Sequence, residues 1–87
     1  YRIGLVQEIV PAGSELTRAL DLAARICEMA PLAVQETKAS SKRWIDEGFK
    51  ATVNAMGSVQ SKLLASDDAK EGVASFVERR SAQFKGR

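Results

Sequence analysis

The sequence predicts a mainly α-helical fold with about four helices after one short strand-like segment. Apolar residues recur at helical spacing over most of residues 14–87, whereas only residues 3–10 have the branched aliphatic character of a strand. A length of 87 residues with 45% hydrophobic and 28% charged residues is typical of one small globular unit. The sequence contains no repeat or linker, so we divide it only into a strand and turn at residues 1–13 and a helical region at residues 14–87.

The strand-like segment runs from Ile3 to Val10 and ends at the turn signal Pro11-Ala12-Gly13. No other segment has the pattern of a strand. A lone strand would leave its backbone donors and acceptors unpaired, which is costly wherever they are buried. We therefore expect its partner strands outside this sequence or in another chain.

The first helix is predicted to begin after Ser14, whose hydroxyl can accept a hydrogen bond from a free amide of the first turn. The apolar residues at helical spacing are Leu16, Ala19, Leu20, Ala23, Cys27 and Ala30. Further apolar residues widen this face, so we expect the helix to be buried on more than one side. The second helix is predicted from Pro31, a favoured first residue, to about Ile45 or Asp46.

Gly48 separates the second helix from a third, which is expected to begin at Phe49 and to end near Ala65. Ser66, Asp67 and Asp68 then begin the fourth helix. Its predicted apolar stripe consists of Ala69, Val73, Phe76 and Val77. Gly72 lies inside this short helix at a cost of about 1 kcal/mol relative to alanine, and the sequence leaves a packing reason and a ligand reason equally open.

The acidic cluster at the start of the fourth helix has an ordinary structural interpretation. Asp68 and Glu71 have the spacing of a capping box, and the helix dipole favours their ionised forms. A general acid needs a raised pKa instead. We therefore interpret Asp67, Asp68 and Glu71 as capping residues.

The residue types exclude several kinds of site. With no histidine and one cysteine, we expect no zinc, haem or iron–sulfur site built from this chain alone and no Ser-His-Asp triad. The glycine spacing matches neither a P-loop nor a dinucleotide fingerprint. Cys27 cannot form an internal disulfide, and we interpret it as a small buried apolar residue of a protein from a reducing compartment such as the cytoplasm. We assign no catalytic and no metal-binding residue.

The charge pattern limits the partners. A net charge of +2 is too small to predict nucleic acid binding, and no apolar run approaches the ~20 residues of a membrane span, so we expect no membrane partner. Basic residues cluster near the end of the sequence, where they can complement a helix dipole or attract an anion. Phe76 and Arg79 are three positions apart, so a ring and a guanidinium share one helix face, as a ligand with a flat ring and a phosphate requires.

The most specific feature is an ordered motif near the end of the sequence. Asp68-Ala69-Lys70-Glu71-Gly72, Phe76, Glu78-Arg79-Arg80 and Phe84 follow one another, with Gly4-Leu5-Val6 and Ala30-Pro31-Leu32-Ala33 upstream. Over effectively the whole chain this order resembles the crotonase superfamily of enoyl-CoA hydratases and isomerases. Two departures are Ser81, where many members have proline, and Arg79, where some hydratases have lysine.

The resemblance implies that the chain is the C-terminal helical (trimerisation) region of a crotonase-like fold, preceded by one short strand of a spiral core. It implies an acyl-CoA enzyme of fatty acid metabolism, with an enoyl-CoA hydratase that adds water to a 2-trans-enoyl-CoA as the leading expectation. The family's oxyanion-hole amides and catalytic glutamates match no position here and would lie before Tyr1. We therefore expect the 87-residue chain alone to be inactive and to bind no cofactor of its own.

By the same resemblance, the chain serves homo-oligomer assembly, as a trimer or dimer of trimers, and completes a neighbouring subunit's site for coenzyme A (CoA). Phe76 would lie near the ligand and Arg79 would contact a CoA phosphate, with Lys85 in the tail as a further candidate. The superfamily also includes isomerases, dehalogenases, hydrolases and decarboxylases that share this region, so the exact reaction stays open.

A second hypothesis is a stand-alone helical oligomerisation or interaction module without catalysis, driven by an exposed apolar face. The strand-like segment discriminates between the two hypotheses. A true module should pair or cover residues 3–10 internally, whereas a part of a larger enzyme should leave them open.

Overall fold

The computed structural model describes all 87 residues and contains four helices. Helix α1 spans Glu15–Cys27, α2 spans Pro31–Glu47, α3 spans Phe49–Leu64 and α4 spans Asp67–Glu78. The predicted mainly α fold class is thus confirmed, and the second, third and fourth helices begin at the expected residues. Helices α2 and α3 form the most extensive pair, and α4 packs more sparsely against α3.

The predicted strand from Ile3 to Val10 is not formed, because residues 1–13 contain only turns, bends and irregular backbone. A strand exists only through hydrogen bonds to a neighbouring strand, and this chain supplies none. The one backbone hydrogen bond within the segment is local, from the Gly4 N–H to the Tyr1 carbonyl at 2.9 Å. An ion pair between Glu8 and Arg18 at 2.9 Å connects the segment to α1.

The turn between α2 and α3 depends on Gly48. Its backbone angles, φ 86° and ψ 178°, belong to a region that only glycine adopts readily, so one residue ends α2 and begins α3. Trp44 and Phe49 pack edge to face across the turn, with ring centroids 5.2 Å apart. Farther along the pair, Lys62 contacts Glu36 at 2.6 Å, which fits two antiparallel neighbours.

The caps of the helices differ from one another. Ser66 caps α4, since its Oγ accepts a hydrogen bond from the Ala69 N–H at 3.1 Å. Ser14 lies at the predicted N-cap position of α1, but its side chain makes no capping hydrogen bond. The first helix ends at Cys27, so Ala30, the last residue of its predicted apolar pattern, lies outside it.

The chain has no hydrophobic core of its own. Only Asp68 and Ser75 are buried, and both are polar. The accessible surface is 7315 Å², whereas a compact monomer of 9.4 kDa exposes about 5,000 Å². The radius of gyration is 16.4 Å against about 12 Å for a compact domain of this length. The helices therefore form a flat, open array with Cα extents of 44 × 38 × 17 Å.

Helix α1 shows the consequence most clearly. It was expected to be buried on more than one side, yet none of its residues is buried, and Leu16 remains 71% exposed. Cys27, interpreted above as a buried apolar residue, is exposed. Both predictions are wrong for this chain because helical periodicity identifies an apolar face without identifying what covers it.

Candidate functional site

Residues 80–87 fold back along α4 and are held by Asp68. Asp68 Oδ1 accepts a hydrogen bond from the Lys85 N–H at 2.6 Å, and Oδ2 accepts one from the Gly86 N–H at 2.8 Å. The Asp68 N–H in turn donates to the Arg87 carbonyl at 3.0 Å. We call these three hydrogen bonds the tail latch. The carboxylate at their centre belongs to a residue that is only 3% exposed.

Glu71 fixes the first part of the same tail. Its carboxylate accepts hydrogen bonds from the Arg80 guanidinium, with an Nη2–Oε2 distance of 2.9 Å, and from the Gln83 N–H at 2.7 Å. These hydrogen bonds, Arg80 first, lower the pKa of Glu71 to about 2. The same interaction raises the pKa of Arg80.

The capping role predicted for Asp68 and Glu71 is therefore wrong. Ser66 caps the helix, and the two carboxylates bind tail amides that have no partner in a helix or strand. Asp67 is the exposed member of the cluster. It pairs with Lys70 at 3.0 Å, and the hydrogen bond from Lys70 is the main reason that the pKa of Asp67 is lowered.

Phe84 anchors the tail on its apolar side. Its ring lines a hollow of ≈ 250 Å³ where the tail meets α2, α3 and α4, together with Leu32, Ala33, Leu63, Leu64 and Ala69. A Cβ placed on Gly72 would lie 3.8 Å from the Phe84 ring, an ordinary contact distance, so the ring lies near this glycine without excluding a methyl group there. Neither of the two reasons left open for Gly72 is required by this geometry.

Helix α4 packs with its polar side and leaves most of its predicted apolar stripe exposed, with only Ala69 contributing to the hollow. The two buried residues, Asp68 and Ser75, lie on the side that faces the tail. Phe76 is 84% exposed, and Val73 and Val77 are also exposed. Val73, Phe76 and Val77 therefore have no apolar cover within this chain and are open to another surface.

Arg79 ends α4 in the left-handed conformation, with φ 53° and ψ 43°. It is the one residue other than glycine with a positive φ. The Arg80 N–H donates to the Ser75 carbonyl at 3.1 Å and the Arg79 N–H to the Phe76 carbonyl at 3.3 Å, the hydrogen bonds of a Schellman motif. Glycine is usual at this position, and another residue costs about 1 kcal/mol. Backbone strain of this kind concentrates at functional sites.

Two of the three predicted binding residues lie at the same end of α4, with Arg79 just beyond the last helical residue. Phe76 and Arg79 are joined through the backbone at the end of α4, and both are exposed. The Arg79 guanidinium forms no ion pair, whereas the neighbouring Arg80 is bound by Glu71 and Glu78. Lys85 instead lines a cleft with Asp67, Asp68 and Glu71, to which neither Phe76 nor Arg79 contributes.

The structure contains no group of three or more histidine, cysteine, aspartate or glutamate side chains placed to hold a metal ion. None of the four helices is both long enough and apolar enough to cross a membrane.

An exposed ring and an exposed guanidinium at one end of α4, on an open helical array, are suited to contacting a ligand or partner outside the chain. The family model described as "Enoyl-CoA hydratase/isomerase" matches residues 1–87, and the chain belongs to this family. The resemblance read from the sequence is thus confirmed.

Named relatives agree with this assignment. The chain is 37% identical to a carnitinyl-CoA dehydratase of Proteus mirabilis over 99% of its own length and 34% of the relative. It is 38% identical to enoyl-CoA hydratase EchA19 of Mycobacterium tuberculosis over 98% of its length and 32% of that protein. A crystal structure of a probable enoyl-CoA hydratase/isomerase from Mycobacterium abscessus superimposes with a TM-score of 0.95 at 40% identity, covering 99% of this chain and 34% of that one. The chain therefore spans about a third of the length of the proteins it matches.

Proposed function

We propose that this chain is the C-terminal helical part of an acyl-CoA-processing enzyme, most closely an enoyl-CoA hydratase. The observation that carries the proposal is a family match over the full 87 residues, with relatives named as CoA hydratases and dehydratases. The reaction adds the oxygen of water to C3 of a 2-trans-enoyl-CoA and a proton to C2 of the enolate formed. The groups that stabilise the enolate and activate water lie outside these residues, so the 87-residue chain alone is inactive. Cytoplasmic localisation and a role in fatty acid metabolism belong to the same proposal.

Within the enzyme, this chain contributes to binding the CoA portion of the substrate. Phe76 and Arg79 contact the CoA portion of an acyl-CoA held by a neighbouring subunit, with the ring against the ligand and the guanidinium on a phosphate. Support comes from the exposure of both residues, the unpaired guanidinium and the left-handed backbone at Arg79. A guanidinium matches phosphate geometry with two parallel hydrogen bonds. Lys85 adds a third cationic contact.

The open faces of the chain serve assembly, as a trimer or dimer of trimers. The accessible surface exceeds that of a compact monomer by about 2,300 Å². An area of this size is in the range of obligate interfaces. The rest of the enzyme and its neighbouring subunits cover α1 and the apolar stripe of α4.

The test uses the full-length protein that carries this chain. We expect it to hydrate crotonyl-CoA, followed by the loss of absorbance of the conjugated thioester, and to have the mass of a trimer or hexamer by light scattering. The 87-residue chain serves as the matched control and is expected to show no hydration. A full-length protein that hydrates no enoyl-CoA of any chain length would contradict the hydratase assignment, and a monomer would contradict the assembly role.

The stand-alone interaction module remains the second candidate, because exposed apolar faces could also drive association without catalysis. Residues 3–10 weigh against it. A module should cover this segment internally, yet Ile3, Leu5 and Ile9 are each at least 74% exposed. Light scattering on the 87-residue chain tests the module, which predicts one defined oligomer instead of a monomer or heterogeneous aggregates.

A further inference from the structure

We propose that Asp68 is a positioning residue that acts through the tail latch to hold Lys85 ready for a phosphate of CoA. This inference rests on the proposed function, in which Lys85 is one of the CoA contacts. Asp68 itself touches no ligand. Its role is to fix the backbone from which the lysine side chain extends.

Two of the three hydrogen bonds of the latch lie on either side of the Lys85 side chain. One carboxylate oxygen of Asp68 accepts a hydrogen bond from the Lys85 N–H, and the other accepts one from the N–H of the next residue, Gly86. Amides that donate to an ionised acceptor form strong hydrogen bonds, and this acceptor is shielded from water. The main chain on both sides of the lysine side chain is therefore restrained.

The lysine side chain is treated differently from its backbone. Its residue is exposed, and the ammonium makes no hydrogen bond and no ion pair. The charge of Lys85 acts on Asp67 and Glu71 only at a distance, where it helps to lower their pKa. The backbone is held while the ammonium makes no direct contact, an arrangement that leaves it able to reach an external anion.

Two neighbouring residues make this arrangement possible. Phe84 anchors the tail in the apolar hollow on one side of Lys85. On the other side, Gly86 has φ 73° and lies against Pro31, and a Cβ at this position would be 3.5 Å from the proline Cβ. A positive φ at Gly86 is hard for another residue to adopt, so this position contributes to the latch without any charge.

Charge alone predicts the opposite effect of removing Asp68. Deleting a carboxylate near Lys85 makes the surroundings more positive, which by itself strengthens phosphate binding. Asp67 is the matched control, because it lines the same cleft and carries the same charge. Its carboxylate pairs with Lys70 at 3.0 Å and with Arg87 of the tail at 4.0 Å, and it interacts with Lys85 through charge alone, with no bond to a latch amide.

The experiment compares Asp68→Asn, Asp67→Asn and Lys85→Ala in the full-length protein. Asparagine keeps the shape of aspartate but turns an amide donor toward one tail N–H, so the latch is broken without a cavity. KM and kcat are measured with crotonyl-CoA and with crotonyl-pantetheine, which lacks the phosphates. The dissociation constants of CoA and pantetheine are measured by calorimetry.

We expect Asp68→Asn and Lys85→Ala each to raise KM for crotonyl-CoA about fivefold, the effect of one exposed ionic contact. The value of kcat and all constants for the pantetheine compounds should stay unchanged. Asp67→Asn should leave KM for crotonyl-CoA unchanged or lower it. Combining Asp68→Asn with Lys85→Ala should add nothing to Lys85→Ala alone.

The possible failures are distinguishable. If Lys85→Ala leaves KM for crotonyl-CoA and the dissociation constant of CoA unchanged, Lys85 has no part in the proposed function and the inference is overturned with it. An effect in Lys85→Ala without one in Asp68→Asn overturns the inference alone. If Asp68→Asn weakens binding of the pantetheine compounds as much as binding of the CoA compounds, or lowers kcat, the role of Asp68 is structural. If hydration is absent but the CoA constants follow the expected pattern, the hydratase assignment fails and the inference stands.

Gly86→Ala provides a second variant should Asp68→Asn not fold. It loosens the latch by straining the backbone and changes no charge. The same rise in the CoA constants is expected, with the pantetheine constants again unchanged. Unchanged CoA constants in a folded Gly86→Ala protein would overturn the proposal.

Discussion

At Arg79, folding stability and the proposed CoA contact make opposite demands on the side chain. The left-handed backbone, with φ 53°, favours glycine by about 1 kcal/mol. Arg79→Gly should therefore raise the free energy of unfolding by about 0.5–1 kcal/mol, after allowance for the extra freedom of glycine in the unfolded chain. Arg79→Ala keeps the strain and should change stability little.

Both substitutions remove the same guanidinium, so both should weaken CoA binding equally. A charge-assisted contact with phosphate at an exposed site is worth about 1–2 kcal/mol, which corresponds to a factor of roughly 5–30 in the dissociation constant. Arg79→Lys is the control, because it retains a positive charge and should retain most of the affinity. The assays are chemical denaturation and CoA calorimetry on the full-length protein.

Two results would refute this reasoning at different points. If Arg79→Gly is more stable and binds CoA as the unmodified protein does, Arg79 has no ligand role. If Arg79→Gly is no more stable than Arg79→Ala, the left-handed backbone carries no strain that glycine can relieve. A protein that gains stability while losing CoA affinity would support both parts of the argument.

Three further predictions concern the framework around the site. Gly48→Ala should destabilise the α2–α3 pair by about 1–3 kcal/mol, because Gly48 has φ 86°. Gly57→Ala, in open space within α3, should stabilise the pair by up to about 1 kcal/mol. Equal denaturation midpoints for the two variants would contradict this expectation. Because the folded-state pKa of Glu71 is lowered to about 2, its contribution to tail docking is full above about pH 4.3 and is lost as the pH falls toward 2. The NMR chemical shift of the Gln83 amide should change with pH along this titration, and this pH dependence should be absent in Glu71→Gln. Phe84→Ala should weaken tail docking by about 1–2 kcal/mol, seen as faster hydrogen exchange of the latch amides, and unchanged exchange would exclude Phe84 as an anchor.

Local signals predicted the helices well. Pro31 at a first helical position, Gly48 at a break and Ser66 at a cap act over a few residues, so the sequence alone located the starts of α2, α3 and α4. Burial could not be predicted in the same way. The apolar face of α1 is present as expected, but the surface that covers it is not supplied by this chain.

The candidate site was predicted only in part. Helical spacing predicted Phe76 and Arg79 on one helix face, but α4 ends at Glu78, and the left-handed backbone at Arg79 has no local signal in an arginine. The return of the tail was missed because irregular segments have no periodicity. Asp68 and Glu71 consequently looked like capping residues, although the tail amides had no partner in a helix or strand and needed acceptors.

The tail latch also sets an order of assembly. It joins Asp68 to residues 17 to 19 positions farther along the chain, so the loop to be closed is short and its entropic cost is modest. Loops of this size close in well under a microsecond once α4 is helical. The apolar faces of α1 and α4, in contrast, are covered only when the rest of the enzyme or a neighbouring subunit packs against them. The tail therefore docks on α4 through local contacts before the partners of these helices pack against them.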